Sequence, residues 1–153
     1  MVRLADLHEA GRASAQDLAC PTFDDQPFTP AATPASRKLS FISSAGLIER
    51  GDAPFNRGDA GYRNISASTQ SRDILISHLS INFDRTAAID NIETILPRHL
   101  SQRLVDEGLI GDLADTHYSF MGATEPEKME SACDELATEL KKQGVNTVVL
   151  LPV

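Results

Sequence analysis

The strongest constraint on the fold lies in residues 124–153, TEPEKMESACDELATELKKQGVNTVVLLPV, where an amphipathic helix, a stop and an apolar strand follow one another. Met129, Cys133, Leu136, Ala137 and Leu140 recur at spacings of three and four, which gathers them on one stripe of a helix. Glu130, Glu135, Glu139, Lys141 and Lys142 take the wet side. Thr124 is placed to cap the first turn, with Glu127 reaching back and Pro126 where no N–H is needed. On the apolar stripe, Cys133 reads as a small buried thiol. Gly144 supplies the stop. Thr147 to Leu151 run without polar alternation, the pattern of a central parallel strand covered on both faces. Such a strand needs parallel neighbours and helical crossovers, and ligands of open α/β sheets bind outside the carboxyl ends of the strands. The functional edge is therefore expected beside Leu151 to Val153.

The rest of the chain supplies those neighbours. Lys38 to Ser43, KLSFIS, mixes β-branched and aromatic residues in alternation and reads as the first strand. A long Gly- and Asp-rich loop follows, with Tyr62 to Ser66 as a short edge strand and Asp73 to His78, DILISH, as a further strand. Thr86 to Ile95 is read as a helix. LPRHLSQRLVDEG is a clearer one, with Pro97 at its start, leucines every fourth residue and Gly108 at its end. Leu113 to Tyr118 is the next strand. Alternation of this kind predicts a mostly parallel α/β domain, Rossmann-like or flavodoxin-like, an open sheet with helices on both faces. Residues 37–153 form that domain. Residues 1–36 are read as a short helix over residues 2–10 and an irregular arm, because four prolines fall within residues 20–36; Phe23 and Phe28 are placed to pin the arm.

Charge and composition exclude two partner classes. The net charge is −8 and the Lys and Arg residues are scattered, so no basic face meets a nucleic-acid backbone. No apolar run approaches the roughly twenty residues that span a bilayer, and the start lacks a signal core, so a cytoplasmic protein is expected. Cys20 and Cys133 are too few for a disulfide framework.

If the strands ending at Ser44, His78, Tyr118 and Val153 are parallel neighbours, one edge gathers His78, His117, Tyr118 and Ser119. His78 and His117 are candidates for acid/base work, with a buried histidine bonded to backbone as the alternative for each. No metal is expected, since a third ligand is missing. Tyr118, Ser119 and Ser44 are candidate donors to a substrate. Arg57, in the Gly-rich loop, meets an anion only if that loop folds over the edge. A second reading makes the chain a non-catalytic module holding a small anion with Arg57 and the serines.

The stretches KLSFISSAGLIERGDAPF, DILISH, LPRHLSQRLVDEGLIGDLADTHYSFMG and NTVVLLPV, in that order, resemble the selenoprotein B family of glycine, sarcosine, betaine and D-proline reductases, over roughly residues 28–153. The resemblance implies a selenol- or thiol-dependent oxidoreductase with a redox-active selenocysteine, or cysteine, directly after the last strand. A selenol is ionised at neutral pH where an ordinary thiol, with its pKa of about 8.5, is mostly protonated. No cofactor is carried in the chain itself; selenocysteine is expected in the full-length protein. The implied partners are a small-molecule substrate, in the family an amino-acid derivative, and a thiol reductant or redox protein, with a homodimer compatible. Selenocysteine is encoded by UGA, and reading that codon as stop yields a product ending in LLPV. The chain is accordingly expected to be inactive, truncated at its carboxyl end, and to leave Leu150 and Leu151 partly uncovered.

Overall fold

The computed structural model describes residues 3–17, 22, 24, 26, 29–81 and 83–153; the readings placed on Val2, Cys20, Phe23 and Phe28 lie outside these. The chain divides into two units, Met1–Pro30 and Ala31–Val153, each described by itself. In the first, a 3₁₀ turn at Leu4–Asp6 leads into helix α1 (Glu9–Gln16). The helix begins later than the apolar pattern of residues 2–10 suggests. Arg12 joins the two, its guanidinium donating to the carbonyls of Leu4, Ala5 and Leu7, each at 3.1 Å.

The second unit runs β1 (Lys38–Ser43), β2 (Leu47–Glu49), β3 (Tyr62–Ser66), β4 (Ile74–Ile76), α2 (Thr86–Asp90), α3 (Arg98–Asp106), β5 (Asp112–Leu113), β6 (Thr116–Phe120), α4 (Glu130–Lys142) and β7 (Thr147–Leu151). β1 is the centre of an open, mostly parallel sheet. β7 pairs with it in parallel along the whole of Leu39–Ser43. A strand has two edges, so β5 and β6 divide the other: Lys38 and Leu39 face Asp112 and Leu113, while Ile42 and Ser43 face Tyr118 and Ser119. β3 closes the sheet, antiparallel to β6. The α/β class and the edge position of Tyr62–Ser66 are as the sequence predicts.

The interruption between β5 and β6 is bridged by side chains. Ser40 Oγ donates to the Thr116 carbonyl at 2.9 Å, and the Phe41 N–H donates to His117 Nδ1 at 3.3 Å. A buried backbone donor left without an acceptor is costly, so these two contacts keep the sheet continuous where its ladder lapses.

Helices cover both faces unevenly. Phe41, Leu47, Ile65, Ile92 and Leu96 form one core, against which Val149 and Leu151 pack. On the other face, Leu136 and Leu140 of α4 pack on Tyr118 and Phe120, with Ile42 beside them. α4 thus lies over β6 and β1 rather than β7. Gly144, at φ +72°, ends it as expected.

Three expectations are corrected. β7 is not covered on both faces: Val148 and Leu150 are 38% and 65% exposed. An apolar run states that both faces are apolar; it does not state what lies over them. DILISH does not join the parallel sheet, because β4 pairs antiparallel with β2 instead. Gly46, at φ +63°, turns the chain out of the sheet; its N–H donates to the Phe120 carbonyl and its carbonyl accepts from Ser77. A Cβ there would stand 3.0 Å from the His78 backbone. Thr124 does not cap α4, which follows a 3₁₀ turn at Pro126–Met129; its Oγ1 donates to the Asp59 carbonyl at 2.8 Å.

Candidate functional site

The carboxyl ends of β1, β6 and β7 meet at Ser44, one residue past the end of β1. Ser44 N–H donates to the Leu151 carbonyl at 3.1 Å, and its own carbonyl accepts from Gly122 N–H at 3.0 Å. Its Oγ accepts from Val153 N–H at 2.9 Å. The approach of the Gly122 backbone is close: a Cβ at 122 would lie 2.6 Å from the Ser44 carbonyl oxygen and 2.8 Å from Ser44 Cβ. Only glycine fits there.

Two cavities flank this junction, and Thr124 borders both. The first is a groove of about 480 Å³ between α4 and β7, walled by Ile42, Phe120, Met129, Cys133, Leu136 and Leu150, with Ser43 and Ser44 at its end. Cys133 is exposed here, not buried, because α4 leaves β7 uncovered. Desolvation by the groove, with the Asp134 carboxylate beside it, holds its thiol above the ordinary range, which makes it a poor nucleophile at neutral pH.

The second cavity, about 390 Å³, is lined by Arg57, Gly58, Leu79, Ser80, Ile81 and Met121. The Gly-rich loop does fold over this edge. Phe55, 2% exposed, packs with Ile48 and Met121, and the Arg63 guanidinium lies 4.3 Å from its ring centre. Phe55 N–H donates to Ser77 Oγ, and Asp59 is held by both Thr124 and Arg63. Arg57 is exposed at the cavity wall.

The two histidines are not brought together. His117 lies in the middle of β6, 0% exposed, its ring 5.0 Å from that of Phe41. Burial first, then the positive charge of Arg98, pushes its pKa down to about 4. Nδ1 accepts the Phe41 N–H, so the neutral ring carries its proton on Nε2. His78 follows β4; it packs edge-on against Phe83, and Nδ1 accepts from Ser80 N–H at 3.1 Å. Its pKa is lowered by burial and then by Arg85, which donates to the His78 carbonyl. The alternation of β6 also divides the other candidates. Ser119, 0% exposed, spends its hydroxyl on the Ser43 carbonyl and the Leu47 N–H, at 3.0 and 2.8 Å. Tyr118 points to the α4 side, where its hydroxyl accepts from Gln143 at 2.9 Å in a separate polar cleft with Glu135 and Glu139. Burial raises its pKa. Of the sequence candidates, Ser44 and Arg57 stand at the carboxyl edge; Tyr118 and Ser119 are spent in the fold around it.

Gly122 was missed as a site residue, although HYSFMG placed a glycine one residue beyond the apolar stretch. Among the described residues no three His, Cys, Asp or Glu side chains come together as a metal set, and no helix is long and apolar enough to cross a membrane.

Comparison with known proteins adds the family context. The family described as glycine/sarcosine/betaine reductase selenoprotein B matches residues 15–152. The chain is 30% identical over 129 residues to the D-proline reductase subunit gamma of Acetoanaerobium sticklandii, an alignment covering 79% of this chain and 52% of that one. It is 26% identical over 136 residues to the glycine reductase complex component B subunit gamma of Symbiobacterium thermophilum, covering 85% and 32%. The chain therefore spans about half the length of the first relative and about a third of the second. No solved structure matches.

Proposed function

We propose that this chain, which belongs to the glycine/sarcosine/betaine reductase selenoprotein B family, forms the scaffold of a selenol- or thiol-dependent reductase site at the carboxyl edge of its sheet. The observation that carries the reading is the junction at Ser44, where three parallel strand ends are tied together beside an open groove. Ligands of open α/β sheets bind at such edges. A selenocysteine directly after Val153 would supply a nucleophile that is ionised near neutral pH, and a cysteine there one that is ionised only in part. The residues present fit that placement. Gly122 lets the turn after β6 close on Ser44, and Ser44 holds the backbone that leaves β7. His117 takes no part in proton transfer on this reading, since its ring is sealed in the core and neutral. A candidate for binding a substrate carboxylate is Arg57, across Thr124 from the groove. A reducing compartment, the cytoplasm, suits a site that works as a free selenol or thiol.

The test compares the 153-residue chain with one continued by cysteine directly after Val153, both supplied with a dithiol reductant and candidate amino-acid-derived substrates. Turnover is expected only in the second. Equal turnover in both removes the idea that a residue after β7 carries the chemistry.

The exposure of Arg57 beside a defined cavity favours a second reading, a module that binds a small anion without chemistry. Calorimetric titration with acetate and phosphate decides it. Binding that is lost in Arg57→Ala, together with no turnover in the continued chain, makes this the better reading.

A further inference from the structure

We propose that Ser44 is a positioning residue of this site: its hydroxyl fixes the backbone leaving β7, and with it the residue that follows. The inference rests on the function proposed above. All three polar groups of Ser44 are committed to the junction, its N–H to β7, its carbonyl to the Gly122 turn after β6, and its Oγ to Val153. The first two are backbone contacts that any residue at 44 would make. The third exists only because residue 44 has a hydroxyl, and it acts beyond the last ladder pair of β7, Ser43 with Leu151.

That position matters because alternate residues of a parallel strand donate to one neighbour, and the bond from Ser44 N–H to the Leu151 carbonyl sets Leu151 and then Val153 as the residues whose N–H groups face β1. Val153 N–H is the next donor, and the Ser44 carbonyl opposite it already accepts from Gly122 N–H; Ser44 Oγ accepts it instead, at 2.9 Å. The segment is thereby held against the end of β1 for two residues past the sheet. A side chain on the following residue would leave from a fixed backbone, at the mouth of the groove bordered by Leu150 and Met129. Preorganised geometry of this kind acts on the chemical step rather than on binding.

The experiment uses Ser44→Ala in the 153-residue chain and in the chain continued by cysteine after Val153. In the first, amide exchange of Val153 is expected to quicken about fivefold, the worth of one net hydrogen bond, while Val149 and Leu151 are unchanged. In the second, kcat is expected to fall by a similar factor of about five with KM unmoved. Far-UV circular dichroism and the melting temperature establish that both variants are folded; should Ser44→Ala fail to fold, the same readings are taken on Ser44→Cys, whose sulfur is a weak acceptor. Unchanged exchange at Val153, or an unchanged kcat in an active enzyme, overturns the proposal. If neither parent nor variant turns over substrate, the reductase reading fails, and the exchange result alone decides whether Ser44 holds the backbone.

Discussion

Replacing His117 by asparagine tests whether this histidine is a structural acceptor or a catalytic group. In the fold it is fully buried and neutral, with Nδ1 accepting from Phe41 and a pKa of about 4 in place of 6.5. The unfolded chain binds a proton at about 6.5, whereas the native state does not until about 4. Stability is therefore constant above the higher value and is lost progressively as pH falls from 6.5 to 4. At about 1.36 kcal/mol for each pH unit, that interval amounts to about 3 kcal/mol. Asparagine does not titrate, and its side-chain oxygen can stand where Nδ1 accepted the Phe41 N–H. The variant starts lower, since it is smaller than the imidazole it replaces. Urea unfolding at pH 7.5 and pH 4, followed by circular dichroism, gives the loss for each protein. Carboxylates and His78 titrate in both and cancel in the comparison. The wild-type chain is expected to lose about 3 kcal/mol more than His117→Asn. Equal losses would show that His117 protonates freely in the fold and would refute the buried neutral assignment.

Gly122→Ala should destabilise by about 2–4 kcal/mol in urea melts, since the new Cβ meets the Ser44 carbonyl at 2.6 Å and parts the strand ends; a loss under about 0.5 kcal/mol would mean the junction yields freely. Ser119→Ala leaves the Leu47 N–H without its 2.8 Å acceptor, with an expected cost of about 1–3 kcal/mol. Leu136→Ala should cost about 2–5 kcal/mol, while Leu150→Ser, at a side chain 65% exposed, should stay within about 1 kcal/mol. Comparable losses for that last pair would show that something covers β7 in solution.

Much of the fold was legible wherever a local pattern and the tertiary environment agree. KLSFIS gave β1 to the residue, and HLSQRLVD with Gly108 gave α3, because alternation and fourfold spacing survive whatever surrounds them. LIE was not legible as a strand. Three residues inside a Gly-rich loop carry no period, and their pairing with Ile74–Ile76 depends on the turn at Gly46. That same pairing took DILISH out of the parallel sheet, so the supposed row of His78, His117, Tyr118 and Ser119 along one edge dissolved. His117 and Tyr118 are neighbours in sequence and point to opposite faces, one into the Phe41 core and one toward Gln143. Ser44 was visible as a candidate from its place after the first strand. Its role depends on Gly122 and Val153, which are distant in sequence and which no local pattern ties to residue 44.

The central position of β1 has a kinetic consequence. It pairs with no strand adjacent in sequence: Ser40 reaches Thr116 across 76 residues, and Lys38 reaches Asn146 across 108. Every ladder in the middle of the sheet therefore closes a long loop whose entropy must be met before any of its contacts stabilise the chain. On a ribosome, β1 emerges well before β5, β6 and β7 and stays without either parallel neighbour until they follow. Leu39, Phe41 and Ile42 are exposed throughout that interval, so the yield of folded protein depends on how long a nascent apolar strand can wait without pairing elsewhere.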